Sequence, residues 1–557
     1  MTTTRAPSRD DPVFLEIVEH ALLGAADEMK LTLMRSAFNP IIYEVLDFSC
    51  GIFDRRGRLV AQAAGLPIFL GTLDWAVQAV IAREGLDGIA AGDVFLSNDP
   101  YGGGGTHLND VCVVAPVVNG GALIGFTASR AHWTDVGGAA PLSVQPDAPN
   151  LHAEGIVLPV VRYQRGGQVV PEVEAILRAN IRDSERGFGD LNAQIASGRI
   201  GARRLVEVSE RFGRDSVDAA IVSLMDRSDE RVRRRLRSLG SGSASATDHL
   251  DRGSDGLSVQ IRVEVRIDED RIELDFAGTD PATATGVNMS RCSLVSACRL
   301  IVKALIDPDS PANDGSFRAL TVVAPPGSVV CATYPTAVSL YGEPARRAID
   351  AVWRALAELI PERAQAGHYG TIAGIALAGY DDRSEPPVWT TFQGPNAGGW
   401  GARAGARGES ALVCVTNGDT RNTPAEIVEH LAPLRVRALR LRDGSGGRGA
   451  WGGGMGIEYD YEVLTGGPFA LTCALGRTEV GAFGAAGGEP GLPNTLEIWR
   501  GGELFAELAR VTAFPLARGD RIVLRTGGGG GFGPADEPSD AEASELSSLA
   551  AGSAADR

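Results

Sequence analysis

The sequence lacks the features that would assign it to a secreted, membrane or disulfide-bonded class. Its seven cysteines are scattered singly and form no CxxC pair, a spacing typical of reduced, buried thiols rather than of a zinc ribbon or a thioredoxin site. No run of about 18 apolar residues occurs, and MTTTRAPSRDD at the N-terminus has no apolar core, so neither a membrane span nor a signal peptide is predicted. We therefore expect a cytoplasmic protein without membrane contact.

Excess positive charge is also missing. The formal net charge is −17, with 53 Lys and Arg against 70 Asp and Glu, which argues against a general nucleic-acid partner. No GxxxxGK[ST] loop occurs, so the chain shows no P-loop for ATP. The segment GSGGRG (444–449) matches GxGxxG, but strand-like residues follow it where a dinucleotide-binding fold needs a helix. Gly527–Gly531 is predicted to be a loop rather than a phosphate cradle.

Regular patterns along the 557 residues predict an α+β protein with mixed or antiparallel sheets and glycine-rich loops. Apolar spacing predicts helices over 12–36, 73–84 and 203–239, and hairpins over 48–62 and around Asn119-Gly120-Gly121. The composition divides the chain into five expected parts. These are a flexible arm (1–11), an N-terminal metal-site domain (12–239), a linker or loop (240–256), a C-terminal α+β region (257–534) and a disordered acidic tail (535–557).

Four consecutive glycines, Gly102–Gly105, stand before a dense group of polar residues in SNDPYGGGGTHLND (97–110). If the next hairpin turns at Gly120, Asp110 faces Arg130, and His132 lies diagonally across from Asp110 on the same side. His107 would fall on the opposite face of a regular strand, so we expect the glycines to bend the chain and bring it to the Asp110 side. They could also let the backbone approach a substrate closely.

Two imidazoles and a carboxylate form a donor set that suits zinc, manganese or iron. A fourth ligand could come from Asp47, which begins the first hairpin, or from Asp135. The spacing equally allows two ordinary histidines at a loop and a strand end, because HxxD is a weak motif. Cys50 has no evident histidine partner and is predicted to be a buried thiol rather than a nucleophile.

The sequence resembles the hydantoinase B/oxoprolinase family. This family includes the B subunits of ATP-dependent N-methylhydantoinases and subunits of acetone and acetophenone carboxylases. The resemblance extends from about Pro12 to Pro534. Its marks include DFSCGIFD (47–54), SNDPYGGGGTHLNDVCVVAPV (97–117), AHWTDVGG (131–138), EGIVLP (154–159), GDLNAQIA (189–196) and GGGGGFGP (527–534).

The resemblance implies a protein that works with a hydantoinase A-type partner, which binds ATP and phosphorylates the carbonyl oxygen of a cyclic amide. A divalent metal on this chain would then supply a bound water for hydrolytic ring opening. The alternatives are a component of an ATP-dependent ketone carboxylase and a non-catalytic scaffold for the A-type partner. The implied metal ligands are His107, Asp110, His132 and Asp47, with Asp135, Arg130 and Asn109 as candidates for the surrounding shell.

Overall fold

The computed structural model describes residues 11–252, 256, 258–418 and 420–535. All but one residue of the expected arm, and all but one of the expected acidic tail, lie outside this part of the chain. The fold is α+β with mostly antiparallel sheets, as predicted. No helix among the described residues is long and apolar enough to span a membrane.

The described helices and strands follow in chain order. The helices are α1 (Pro12–Ser36), α2 (Pro40–Tyr43), α3 (Pro67–Leu70), α4 (Leu73–Glu84), α5 (Leu151–Glu154), α6 (Pro171–Asn180), α7 (Ser184–Phe212), α8 (Arg214–Leu239), α9 (Arg291–Ile306), α10 (Gly342–Leu359) and α11 (Ala425–Leu431). The strands are β1 (Phe48–Asp54), β2 (Leu59–Gln62), β3 (Val94–Ser97), β4 (Asp110–Asn119), β5 (Ala122–His132), β6 (Val161–Arg165), β7 (Gln168–Val169), β8 (Gly242–Leu250), β9 (Val259–Asp268), β10 (Arg271–Asp275), β11 (Leu320–Val323), β12 (Gly374–Asp381), β13 (Val388–Gly394), β14 (Leu434–Leu441), β15 (Ile457–Val463), β16 (Phe469–Ala474), β17 (Thr495–Arg500), β18 (Glu503–Leu508), β19 (Arg510–Leu516) and β20 (Arg521–Arg525).

The first helix shows how closely local sequence sets the element bounds. Asp11 caps α1 by accepting a hydrogen bond from the Val13 N–H at 3.1 Å, and Pro12 occupies the first turn, where its missing N–H leaves no bond unmade. The helix runs over the predicted residues 12–36, and α4 runs over the predicted 73–84. The hairpin predicted over 48–62 forms as β1 and β2.

Tertiary contacts divide the chain into two compact units. Of the described residues, the first unit contains those of 11–248, 260–355 and 416–421, and the second contains those of 249–259, 356–415 and 422–535. These bounds differ from the domains 12–239 and 257–534 expected from composition. The reason is that α9 and the loops around it pack in the first unit, although they follow the serine-rich segment that composition marks as a boundary.

The core of the first unit is a seven-stranded sheet in the order β2-β1-β5-β4-β3-β6-β7. Every residue of β1 is buried, and α1 and α7 pack against one another beside the sheet. Gly201 of α7 allows this close packing, because a Cβ there would lie 2.3 Å from the Met29 sulfur of α1. Helix α7 in turn packs on the central strands β4 and β5.

Two local predictions differ from the structure. The helix expected over 203–239 is the end of α7 followed by α8, and the break falls at Gly213, whose φ of 84° lies in the left-handed region that favours glycine. The segment 240–256, expected to be a linker or loop, contains β8, which pairs in the sheet β11-β10-β9-β8. Its serines and threonines suggest a linker by composition, but the alternating burial of β8 shows that only one face needs to be apolar.

The second unit combines two antiparallel sheets, β13-β12-β16-β19 and β14-β15-β20-β17-β18, around a shared apolar core. Its glycine-rich segments run beside one another with their backbones in contact. Gly527–Gly531 is fully buried, and a Cβ on Gly529 would lie 1.9 Å from the Trp400 carbonyl oxygen. GSGGRG belongs to the same packing, since Gly447 N–H donates to the Gly529 carbonyl at 2.8 Å. These glycines are therefore packing elements.

Candidate metal centre

The β4–β5 hairpin carries two of the three residues of the candidate centre. It turns at Gly120 and Gly121, both with positive φ, and Asn119 pairs with Ala122. The Asn119–Ala122 pairing shifts the register by one residue from the simple count, and a bulge between Val117 and Val118, where β5 accommodates one extra residue, shifts it by a second. As a result Asp110 lies directly opposite His132, not Arg130 as the simple count predicts, and Arg130 lies opposite Cys112. The predicted common face of Asp110, Arg130 and His132 is retained, since the shift amounts to two residues.

His107 reaches Asp110 from outside the strand, because β4 begins only at Asp110. The preceding glycines pass through a space that no side chain would fit. A Cβ on Gly105 would lie 2.1 Å from the Asn98 carbonyl oxygen, and Gly104 has a φ of 70°. The glycine run therefore bends the chain against the end of β3 and places His107 on the Asp110 side, as expected from the sequence.

Three side chains converge on one point. His107 Nε2 lies 2.9 Å from Asp110 Oδ1, and His132 Nδ1 lies 3.1 Å from the same oxygen. All three residues are buried, and one ligand atom from each lies within 4.8 Å of the others. Neighbouring ligands around an ion with bonds of about 2.0–2.2 Å are separated by about 3.0–3.5 Å, so the spacing is close to that of a coordination shell.

The two ring nitrogens of His107 both face acceptors. Nδ1 lies 3.0 Å from the Ser339 carbonyl oxygen, and Nε2 faces the Asp110 carboxylate. Burial opposes a charged imidazole, but the Asp110 charge and these hydrogen bonds raise the pKa of His107 above its usual value. Without an ion the ring needs a proton on each nitrogen. With an ion at Nε2, the neutral ring would still donate from Nδ1 to Ser339, which is the usual arrangement of a metal-bound histidine.

Asp110 is the shared centre of these contacts. Its Oδ1 faces both histidines, while its Oδ2 accepts a short hydrogen bond from the Thr106 hydroxyl. Although burial opposes ionisation, the two histidines lower the pKa of Asp110 below its usual range. The residue is thus a fixed carboxylate, held by side chains that precede it on the glycine loop and face it from β5.

Asp47 lies next to this cluster, and its main-chain oxygen accepts the His132 N–H at 3.1 Å. Burial raises the pKa of its carboxyl to about 6, while His132 acts in the opposite direction. Its Oδ1 is buried and has no hydrogen-bond partner among the described residues. The ligand atoms that lie within 4.8 Å of one another belong to His107, Asp110 and His132, so the Asp47 carboxyl lies beside this group and not within it.

The other sequence-predicted residues have structural partners. The Asp135 carboxylate forms an ion pair with the Arg182 guanidinium at 2.6 Å. It also accepts hydrogen bonds from the Gly137 and Leu142 N–H groups of the loop that follows it, so it already has partners. The Asn109 amide donates to the Trp133 and Leu142 carbonyls at 2.9 Å each and ties the start of β4 to the end of β5.

Arg130 connects the hairpin to the glycine loop. Its side chain is fully buried, and it donates to the Gly104 carbonyl at 2.7 Å and to the Thr72 hydroxyl. These contacts support the bend that carries His107, and they point the guanidinium to the loop rather than to the three ligand atoms. Cys50 is also buried, and burial raises the pKa of its thiol to about 12, which agrees with an unreactive residue.

Sequence reasoning missed three residues that complete the centre. Tyr341 packs its ring 5.1 Å from that of His107, and burial, reinforced by the Asp110 and Asp47 charges, raises its pKa well above the usual value. Ser339 supplies the carbonyl that holds His107, and Glu154 accepts hydrogen bonds from the Val338 and Ser339 N–H groups. Ser339 and Tyr341 stand more than 200 positions from His107, so no local spacing could have indicated them. Glu154 begins the EGIVLP segment, whose only signal in the sequence is its part in the family resemblance.

Comparison with known proteins identifies the family. The sequence profile of the family described as hydantoinase B/oxoprolinase matches residues 11–535. The chain belongs to this family. It is 32% identical over 539 residues to the beta subunit of the caprolactamase of Pseudomonas jessenii, covering 94% of this chain and 91% of the relative. It is 30% identical over 477 residues to the B subunit of a putative D-/L-hydantoinase of a Pseudomonas species, covering 83% and 79%.

Two solved structures share the fold. The ATP-dependent caprolactamase of Pseudomonas jessenii superposes with a TM-score of 0.89 at 30% identity, covering 96% of this chain and 93% of the other. An acetone carboxylase in its nucleotide-free form superposes with a TM-score of 0.88 at 18% identity, covering 95% and 76%. At that identity the second likeness concerns the fold alone.

Proposed function

We propose that the chain is the B subunit of a cytoplasmic, ATP-dependent cyclic-amide hydrolase, and that it holds a divalent metal through His107, Asp110 and His132. The observation that carries the proposal is the convergence of three buried ligand atoms, with both histidine nitrogens about 3 Å from Asp110 Oδ1. Asp47 is proposed as the fourth ligand, because its buried Oδ1 has no hydrogen-bond partner among the described residues.

The donor set fits zinc, manganese or iron, since it combines borderline nitrogen ligands with a hard carboxylate. A divalent ion held there would polarise a carbonyl oxygen and lower the pKa of a coordinated water. The residues of the chain would hold the ion and shape its surroundings. Asp110 and the two histidines fix the reacting position, Ser339 holds the His107 tautomer, and the surrounding apolar strands keep the charges away from bulk solvent.

The proposal includes an A-type partner that binds ATP. A cyclic amide is a poor electrophile, so phosphorylation of its oxygen would supply the leaving group that this chain has no P-loop to provide. The relatives support a partner, because one is named as the beta subunit of a caprolactamase and another as the B subunit of a putative hydantoinase. Carboxylation of a ketone is the alternative reaction, and dependence of product formation on bicarbonate would distinguish it.

Metal content tests the site directly. Replacing His132 with alanine removes one of the three ligands, and we expect metal affinity to fall at least about 10–100-fold, because even loss of an outer partner has an effect of that size. The fold should persist, since the hairpin lies in a large apolar core. Cys112→Ala is the matched control, as Cys112 is buried on the same strand two residues from Asp110. Full metal occupancy in His132→Ala would refute the assignment.

ATP turnover tests the division of labour. The purified chain alone should not hydrolyse ATP, whereas mixing it with the cognate A-type partner should couple ATP hydrolysis to ring opening. Steady turnover by the single chain, after rigorous removal of other ATPases, would contradict the proposal of two cooperating chains.

A further inference from the structure

Glu154 is a buried carboxyl group that the proposed mechanism does not use. It ends α5 and is 1% exposed. One oxygen, Oε1, accepts the N–H groups of Val338 at 2.6 Å and Ser339 at 2.7 Å. The other oxygen, Oε2, is buried and has no hydrogen-bond partner among the described residues. Such an arrangement needs a reason, because a buried carboxyl loses its hydration and regains only part of that free energy from two N–H groups.

The two N–H groups belong to the peptide segment that holds His107. Ser339 donates its N–H to Glu154, and its carbonyl oxygen accepts from His107 Nδ1 at 3.0 Å. Two hydrogen bonds, both made by the Ser339 backbone, therefore connect the Glu154 carboxyl to the His107 imidazole. The opposite ring nitrogen, Nε2, is the one that faces Asp110.

The segment 337–339 has no regular structure of its own that would fix this carbonyl. It contains no strand or helix, and its neighbours are held by side chains. The Asn288 amide donates to the Ala337 carbonyl at 3.0 Å, and the Tyr101 hydroxyl donates to the Thr336 carbonyl at 2.6 Å. At Ser339 itself the backbone N–H is satisfied by Glu154 and the hydroxyl accepts the Gln145 N–H at 2.9 Å, while the Leu340 N–H, on the peptide group that carries the Ser339 carbonyl, donates to the Gly286 carbonyl at 2.9 Å. Removal of the Glu154 carboxyl would leave the buried Ser339 N–H unpaired and take away one of the bonds that hold this carbonyl in place.

We propose that Glu154 is a positioning residue of the metal centre, which helps to orient His107 by accepting a hydrogen bond from the Ser339 backbone. It touches none of the three proposed ligands and acts through the Ser339 backbone, whose N–H it accepts and whose carbonyl, on the next peptide group, accepts from His107. Metal-bound histidines ordinarily donate from their second nitrogen to a fixed carbonyl or carboxylate, and here Glu154 of α5 is one of the groups that hold the residue bearing that carbonyl. This inference rests on the proposed metal site.

Burial raises the pKa of Glu154 to about 8, against the effect of the two N–H groups, so a neutral side chain of the same shape is the suitable replacement. Glu154→Gln keeps an oxygen that can accept both N–H groups, whereas Glu154→Ala removes it. The matched control is Asp93→Ala. Asp93 is also 1% exposed and accepts two backbone N–H groups, from Ala90 and Gly166 at 3.0 Å each, at the end of β3 away from Ser97 and the glycine loop.

The experiment measures the dissociation constant of zinc and of cobalt by chelator competition on the metal-free full chain, together with its melting temperature and the visible spectrum of the cobalt form. We expect Glu154→Ala to bind both ions at least about tenfold more weakly with an altered cobalt spectrum, and Glu154→Gln to stay within about threefold of the parent. Asp93→Ala should lower the melting temperature and leave both metal readouts unchanged.

Parent-like affinity and spectrum in Glu154→Ala would overturn the inference. So would equal weakening in Asp93→Ala, because it would show a general effect of lost stability. If Glu154→Ala does not fold, Glu154→Asp withdraws the acceptor by one methylene and is subject to the same criteria. Failure of the parent chain to bind either ion would instead refute the proposed metal site, so the two failures are distinguishable.

Discussion

The two glycine runs of the chain, Gly102–Gly105 and Gly527–Gly531, have the same composition and different surroundings. Both lie where backbones approach too closely for a side chain. A Cβ on Gly105 would lie 2.1 Å from the Asn98 carbonyl oxygen, and one on Gly529 would lie 1.9 Å from that of Trp400. Their shared requirement is steric, and it explains why neither run behaves as a flexible loop.

The difference lies in what each run contacts. The first packs among polar side chains, with Arg130 donating to the Gly104 carbonyl, and leads directly into the residues of the candidate metal centre. The second contacts other glycine-rich backbone, with Gly399 N–H donating to the Gly527 carbonyl at 3.0 Å and Gly530 N–H donating to the Gly367 carbonyl at 2.9 Å. Glycine content thus indicates close approach, and only the neighbours show whether the approach serves packing or a site.

The largest effect is expected in the second run. Gly529→Ala places a methyl group on backbone atoms that cannot rotate away, so the free energy of unfolding of that unit should fall by more than about 4 kcal/mol. Calorimetry or the yield of soluble protein measures the loss. The control is Gly519→Ala in the same unit, where the Cβ meets open space and only the positive φ of 85° is strained, at about 1–2 kcal/mol. Equal effects of the two changes would mean that the close backbone packing is not required.

The first run should separate stability from metal binding. Gly105→Ala forces the glycine loop away from Asn98, which displaces Thr106 and His107, and we expect metal affinity to fall at least about tenfold with a smaller loss of stability than in Gly529→Ala. Chelator competition and thermal melting are measured on the same sample. Gly88→Ala, whose Cβ makes only an ordinary contact at 3.7 Å, should change neither quantity. Unchanged metal affinity in Gly105→Ala would remove the functional distinction between the two runs.

Competition between protons and the metal tests the candidate metal centre, to which the first glycine run leads, without a mutation. The raised pKa of His107 means that the metal-free site holds a proton to a higher pH than an ordinary histidine, and this proton must leave when a metal binds. Below that pKa, metal affinity should fall by about tenfold per pH unit for each proton displaced. Isothermal titration in buffers of different ionisation enthalpy counts the protons. An affinity independent of pH between about 5 and 7 would contradict a histidine-based site.

The stability of the metal-free protein should change with pH in the opposite sense. Folded-state pKa values are raised for His107, for Asp47 to about 6 and for Glu154 to about 8, so the folded state binds more protons than the unfolded state over this range. The contribution of the two carboxyls is fully present below about pH 4 and that of His107 below about pH 6, and all of it is lost as pH rises, so the protein should be more stable at pH 5 than at pH 8. Chemical denaturation at the two pH values checks the sign, and Glu154→Gln should reduce the slope.

The smallest effect is expected where a glycine has no close neighbour. Gly24 lies on an exposed part of α1, and a Cβ there meets no atom within 4 Å. Gly24→Ala should stabilise the protein by roughly 0.5–1 kcal/mol through helix propensity alone, without change in metal affinity. A destabilising result by thermal melting would show that this face of α1 is covered in solution.

Local patterns determined much of the first unit. The cap and apolar period of α1, the period of α4 and the turn residues of the two hairpins act over a few neighbouring positions, so their outcome is readable from the sequence. The common face of Asp110 and His132 was predicted by strand alternation from an assumed turn, and it is kept because the turn and the bulge together shift the register by an even number of residues. The bend that brings in His107 could be inferred because four glycines make a departure from strand geometry inexpensive.

What only the tertiary structure decided depends on contacts between distant residues. The β-bulge between Val117 and Val118 acts together with the turn to set the register of the hairpin, and the two together place His132 opposite Asp110. The pairing of β8 in a sheet, the backbone contacts of Gly527–Gly531 and the anchoring of Ser339 by Glu154 join segments far apart in sequence. The sequence by itself determined which residues could form a metal site, because donor chemistry is a property of side chains. The fold decided which of them meet, because burial and close packing are properties of the whole chain.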